Sequence, residues 1–205
     1  MQPTADCEHN GGNMVYESYI KRLFDILLSL IGIAVLAVPM LIVACIVWAE
    51  HAGSVFFRQK RLKKGKHTFT MLKFRTMVAD APDIPTHLLS SPEQYTTRTG
   101  RALRRMSLDE LPQLFNILQG SMSFVGPRPA HWQEWELIEA RDRYGANDVK
   151  PGLTGWAQIN GRKALDIPTK AKFDGEYVEA LHSGRGFLMD CRCIIGTVIP
   201  VLSDW

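Results

Sequence analysis

The 205-residue sequence has no C-x-x-C pair among its four cysteines, Cys7, Cys45, Cys191 and Cys193. Two close cysteines without matching His or Cys partners are a poor zinc site, so reduced thiols are expected. Neither a Walker-type G-x-x-x-x-G-K nor a dinucleotide G-x-G-x-x-G is present, which excludes the two common phosphate-cradling loops. No nucleic-acid-binding motif is recognisable, so nucleic acid is not expected as a partner. The first 14 residues lack the basic n-region and cleavage site of a secretory signal. Their glycine, asparagine and polar residues predict a disordered extension over 1–14. No internal repeat and no linker divides the rest, and the length suits one core domain with an appendage.

Charge is missing where it matters most. From Ile26 to Trp48 runs ILLSLIGIAVLAVPMLIVACIVW, without one charged residue. A bilayer-spanning helix needs about 20 such residues, so this run predicts membrane association over residues 15–52. Pro39 lies near its middle, where proline removes a backbone donor and clashes with the carbonyl four residues back. Lys21 and Arg22 precede the run, and Arg58, Lys60, Arg61, Lys63, Lys64 and Lys66 follow it with no acid among them. Basic flanks favour the cytoplasmic side. Basic residues on both sides of a proline-broken run fit a re-entrant helix; a tilted full span with an external N-terminus is the rival. A second apolar stretch, Cys193–Leu202, is too short to span and reads as a core or interfacial helix.

Net charge is only +3, but the positive excess gathers in 58–66 and 98–105, which suits an anionic surface or a phosphate substrate. On either side of the first of these stretches, Val55–Phe57 and Phe69–Phe74 read as strands joined by the basic turn Lys60–Lys66. Residues 79–98 carry Pro82, Pro85 and Pro92 and read as a loop. Arg101, Arg104 and Arg105 have helical spacing, another helix is expected over His131–Tyr144, and Val149–Arg162 reads as a binding loop with a short strand. The fold class expected is α/β, mostly helical. A compact catalytic domain with a small β-sheet would occupy 53–205.

The segment RRMSLDELPQLFNILQG concentrates the chemistry. Ser107 and Glu110 fit the capping-box pattern S-x-x-E, a purely structural role. Pro112 conflicts with a helix capped at Ser107 and places the regular helix nearer itself. On both readings Asp109 and Glu110 lie near a helix N-terminus, whose partial positive charge favours an ionised carboxylate and attracts phosphate. One such carboxylate can act as nucleophile, and its neighbour can hold Mg²⁺ together with substrate phosphates. Arg101, Arg104, Arg105 and Arg128 are available to neutralise those phosphates. Arg128 stands out because Pro127 and Pro129 stiffen the backbone on both sides, pre-setting a guanidinium fork. For the 101–105 arginines, a solvated or membrane-facing surface is an equally good reading.

These residues carry a family resemblance. KRLFD before the apolar run, LKFRTM at 72–77, RRMSLDELPQLFNILQGSMSFVGPRP at 104–129 and KPGLTGWAQINGR at 150–162 occur in order. With the Asp174/Tyr177 and Asp190 region they resemble the bacterial sugar transferases of the small monotopic phosphoglycosyl transferase type. The resemblance implies transfer of a phosphosugar from a UDP-sugar to a polyprenyl phosphate, usually undecaprenyl phosphate, at the cytoplasmic face of the bacterial inner membrane among its lipids. It implies Mg²⁺, a re-entrant membrane helix and a covalent phosphosugar on the first acid of the dyad. Asp109 then becomes the nucleophile and Glu110 the metal ligand, with Lys73, Arg75, Arg104, Arg105, Arg128, Asp174 and Asp190 as substrate-binding or supporting residues. Two positions depart from the pattern: Val38 precedes the proline where serine is common, and Lys63 stands where glycine is common. Beside larger relatives with extra N-terminal membrane helices, the sequence is expected to represent a minimal catalytic unit, and an oligomer is compatible with the pattern. Two other readings stay open on the residues alone: a glycosyltransferase that moves the sugar and releases UDP, and a non-catalytic membrane-anchored binding module.

Overall fold

The computed structural model describes residues 15–51, 54–78, 80–82, 91–161 and 164–203. The expected extension over 1–14 lies outside the described residues, and so does Arg162. A π-helical turn, Tyr16–Ile20, leads into α1, Lys21–His51, one helical element that continues through Pro39, so the break expected at that proline does not occur: proline removes one backbone bond and the turns on either side keep theirs. It is the one described helix long and apolar enough to cross a membrane by length and composition.

A single stripe of α1 is buried along nearly its whole length. Lys21, Asp25 and Ser29 form its first part, and Met40, Val43 and Val47 its last. Between them Ile33 and Leu36 pack against the core, and Gly32 lies against Leu114. The three- and four-residue spacing is that of one helix face. The opposite face exposes Leu23, Leu27, Ile31, Val35, Val38 and Ile42.

Strands β1 (Phe56–Leu62) and β2 (Thr68–Phe74) form an antiparallel hairpin with Phe56 opposite Phe74 and Leu62 opposite Thr68. The first strand runs further than its apolar residues suggested. Alternation lets it: Gln59 is buried while Arg58 and Lys60 point outward. The turn needs left-handed backbone, taken by Gly65 (φ 72°) and Lys66 (φ 60°). The 79–98 loop contains a short helical turn, Pro92–Tyr95, and α2 already begins at Arg98 and ends at Arg105.

After α2 come a 3₁₀ turn, Leu108–Glu110, and α3, Gln113–Leu118. Strand β3, Ser123–Val125, pairs in parallel with β4, Gly152–Thr154, so there are two small sheets among the described residues rather than one. Helix α4, Trp135–Asp142, is shorter than expected. Helices α5 (Trp156–Ile159) and α6 (Ile167–His182) follow, and α7 (Gly186–Ser203) starts a full turn and more before Cys193. Asp190 therefore sits within α7. Helix α6 packs between α4 and α7, and its Tyr177, Val178 and Leu181 share a core cluster with Val125, Val149 and Cys193.

Candidate active site

The dyad is delivered by a chain reversal, not by a helix cap. Ser107 sits in left-handed backbone (φ 56°, ψ 18°) and its side chain makes no capping bond. The capping-box expectation is thereby corrected. Left-handed geometry costs an L-residue about 1–2 kcal/mol, and here it turns the chain out of α2 into the 3₁₀ turn. Pro112 occupies the N-cap position of α3, as its locked φ favours. Asp109 is buried at 8% exposure, and Glu110 is half-buried beside it.

Two cations from different parts of the chain meet on one oxygen. Glu110 Oε1 accepts from Lys73 Nζ at 2.8 Å and from Arg128 Nη2 at 2.8 Å. Lys73 comes from β2, which Asn116 of α3 clamps from the side. Its Oδ1 accepts from Leu72 N (2.9 Å) and its Nδ2 donates to Thr70 O (2.8 Å). The helix behind the dyad is thus bonded to the strand that carries Lys73.

Arg128 stands on a loop held by close backbone crossing. Gly126 N donates to Thr154 O and Gly152 N to Pro127 O, each at 2.9 Å. A Cβ on Gly126 would lie 2.3 Å from Lys150 O, and one on Gly152 would lie 2.1 Å from Gly126 N. Only glycine permits that approach. Arg104 donates from Nε to Thr76 Oγ1 (2.8 Å). Arg105 is exposed, and Arg75 is half-buried with its Nε lacking a hydrogen-bond partner.

These surroundings drive the two acids apart. Burial raises the Asp109 carboxyl, Lys73 opposes that shift, and the Glu110 charge adds to it. Burial would also raise Glu110, but Arg128 and then Lys73 outweigh it and hold that carboxyl well below its ordinary range. Burial lowers Lys73, with Glu110 pulling the other way. Neighbouring acids with divergent affinities for protons are the usual basis for divided roles.

A lysine from a hairpin and a proline-framed arginine thus converge on a dyad that lies between them in the chain. The bacterial sugar transferase profile matches residues 16–204. The chain belongs to the bacterial sugar transferase family. An uncharacterized sugar transferase, EpsL, of Bacillus subtilis (strain 168) is 38% identical over 183 residues, covering 89% of this chain and 87% of that protein. The UDP-glucose:undecaprenyl-phosphate glucose-1-phosphate transferase of Xanthomonas campestris pv. campestris is 37% identical over 196 residues, 90% of this chain and 39% of that protein. The undecaprenyl-phosphate glucose phosphotransferase of Komagataeibacter xylinus is 40% identical over 171 residues, 78% of this chain and 32% of that protein. The transferase therefore matches the first relative over most of its length and only a part of the two longer ones.

The transferase keeps two of its expected site acids away from the dyad's hydrogen bonds. Asp174, on α6, is 1% exposed and paired with Arg141: its Oδ2 accepts from Arg141 Nε at 2.8 Å and lies 2.7 Å from Nη2. Asp190 is paired with Lys21, and Tyr16 Oη donates to it at 2.8 Å. The Tyr177 hydroxyl lies between Asp190 Oδ1 (2.9 Å) and Val125 O (3.1 Å). Both acids are buried against cations, which fits positioning rather than contact with a substrate.

Several residues of the transferase had no signal in the sequence. Arg141 and Asn116 look like ordinary polar positions on short helices, and only the tertiary contacts give them work. The KRLFD segment was visible as a motif, but its bonds were not. Arg22 donates to Ile117 O and Leu118 O at 2.7 Å, satisfying carbonyls at the end of α3. Asp25 accepts from Ser123 Oγ and Phe124 N at 3.0 Å.

No group of three or more His, Cys, Asp or Glu suited to a metal occurs among the described residues. Magnesium needs fewer, one or two carboxylates with substrate phosphates completing its shell. Asp109 and Glu110 fit that demand. Both cations bind Glu110 through Oε1, leaving Oε2 without a bond to either.

Proposed function

We propose that the chain transfers a sugar phosphate from a UDP-sugar to undecaprenyl phosphate, releasing UMP, through a covalent intermediate on Asp109. The observation that carries this reading is the division of the dyad. Glu110 is pinned and kept ionised by Lys73 and Arg128, whereas the adjacent Asp109 is buried with a raised proton affinity. A carboxylate of higher basicity is the better nucleophile of the two. The activities named for the Xanthomonas and Komagataeibacter relatives support the donor and acceptor classes.

In the first step an Asp109 carboxylate oxygen attacks the β-phosphorus of the donor. The bond from that phosphorus to the oxygen bridging to the α-phosphate breaks, and UMP leaves with the electron pair. In the second step an oxygen of the lipid phosphate attacks the same phosphorus. The bond to Asp109 breaks and the carboxylate is regenerated, leaving the sugar on a lipid diphosphate. Arg128, half-exposed and stiffened by two prolines, presents its fork to the donor phosphates, and Lys73 holds the charge of Glu110 in place. Glu110, with Asp109 beside it, would hold Mg²⁺, which supplies further neutralisation of phosphate charge when bound. Mixing the protein with a panel of UDP-sugars and undecaprenyl phosphate is expected to yield UMP with at least one sugar. Release of UDP instead would overturn the reading in favour of transfer of the sugar alone.

The reading includes a monotopic arrangement. Both ends of α1 are fastened to the same globular domain, Lys21 to Asp190 at one end and Val47 into the cluster of Phe74 and Leu103 at the other. A helix about 45 Å long at 1.5 Å per residue would carry its two ends to opposite faces if it crossed the bilayer. Fastening at both ends supports both ends of α1 lying at one face, with the domain at the cytoplasmic surface of the inner membrane; a dip into the bilayer and back would require a bend at Pro39, where α1 stays helical. With Cys45, Cys191 and Cys193 replaced by serine, thiol labelling at Cys7 is expected only after cells are opened. Labelling in intact cells would establish a full span.

A further inference from the structure

We infer that Arg141 and Asp174 are positioning residues that hold Arg128 in its working orientation by gripping its backbone carbonyl. The inference rests on the reading of Arg128 as a donor-phosphate ligand and adds the device that aims it.

Three carbonyls along the loop before and at Arg128 have donors. The Tyr177 hydroxyl lies against Val125 O, Gly152 N bonds Pro127 O, and Arg141 Nη1 bonds Arg128 O at 3.0 Å. The last bond is the one nearest the guanidinium that reaches Glu110, and it comes from a buried charge. Arg141 is 3% exposed and uses its other edge, Nε and Nη2, on Asp174 Oδ2. The guanidinium is therefore fixed on two sides, by an anion and by the carbonyl it holds. Asp174 and Tyr177 stand three residues apart on α6, so one helix face braces the loop at both ends.

Stability alone does not account for the pair. Removing two charges from water costs as much as their attraction returns, and apolar residues of similar volume often stabilise a protein as well or better. A planar fork in a rigid setting does something an apolar pair does not: it fixes a carbonyl in direction as well as distance. Proline on either side of Arg128 limits its φ/ψ freedom, and the grip on its carbonyl restrains what remains.

The test is a double-mutant cycle on UMP release, with Arg141→Lys and Arg128→Ala. Lysine keeps a positive charge beside Asp174 but does not reproduce three fixed N–H bonds. Arg141→Lys is expected to lower kcat/KM for the UDP-sugar by roughly 10–100-fold, the usual range for partners that orient a ligating group. The loss falls on donor KM, while KM for undecaprenyl phosphate stays unchanged. In the Arg128→Ala background the same change is expected to cost less than about twofold, since non-additivity marks residues that act through one another. An equal loss in both backgrounds overturns the inference.

Amide hydrogen exchange provides a readout independent of turnover. Exchange at the amides of Gly126, Arg128, Ala130 and His131 is expected to quicken in Arg141→Lys and in Asp174→Asn, with α1 and α3 unchanged. Uniformly faster exchange, or no change in the loop, overturns it. If the wild-type protein releases no UMP, the functional reading fails by itself and the exchange result still decides whether the loop is gripped.

Discussion

Asp109→Asn is expected to abolish turnover, with a loss of at least about four orders of magnitude, the scale seen when a covalent enzyme loses its nucleophile. Asparagine has nearly the same shape, so the 3₁₀ turn and the Lys73–Glu110–Arg128 pairing should persist. The amide does not carry the charge or the nucleophilicity of the carboxylate. Intact mass measurement after incubation with the UDP-sugar, without acceptor, should show no added phosphosugar in this variant. A phosphosugar adduct on the Asp109→Asn protein would remove Asp109 as the nucleophile. Unchanged turnover would remove the covalent pathway.

Glu110→Gln has the second-largest expected effect, about 10²–10³-fold in kcat, comparable to losing one electrostatic stabiliser of a reacting group. The variant leaves Lys73 and Arg128 facing each other without their shared anion. It also changes the pH dependence in a direction that can be worked out. The ionised Asp109 is the reactive form, so the acid limb of the rate profile follows its pKa. Burial raises that pKa, Lys73 lowers it and the Glu110 charge raises it. Glutamine removes the last contribution. The acid limb should therefore move to lower pH than in wild type. The Mg²⁺ concentration for half-maximal rate should rise at least about tenfold if Glu110 is a ligand. A wild-type Mg²⁺ response would reject that role, and a limb shifted to higher pH would reject the electrostatic account of Asp109.

The sequence showed the parts of this site that are local and concealed those that depend on long-range contacts. Asp109 and Glu110 lie side by side, Pro112 marks the helix start, and two prolines frame Arg128; each signal spans a few residues. The apolar run 26–48 was equally plain, because length and lack of charge suffice to see it. The capping box was misleading because the same S-x-x-E spacing serves a chain that turns left-handed at Ser107, and φ leaves no mark in the letters. Strand β1 was cut short by Arg58 and Lys60, which face outward, and by Arg61, which turns inward beside Gln59 and bonds its side-chain oxygen. The partner of Glu110 on β2 lies 37 positions away and the Arg141–Asp174 pair is separated by 33. No local pattern encodes such distances. The same limit applied to α1, whose attachment at both ends appears only when Asp190 and Leu103 fold back on it.

The central claim is that the phosphosugar passes through Asp109. Wild-type protein mixed with a UDP-sugar and no lipid acceptor, then quenched, digested and mapped by mass spectrometry, tests it most directly. The expected result is one UMP released per protein molecule and a phosphosugar mass on the peptide at Asp109, discharged when undecaprenyl phosphate is added. Release of UMP only when the acceptor is present, with every peptide unmodified, would contradict it.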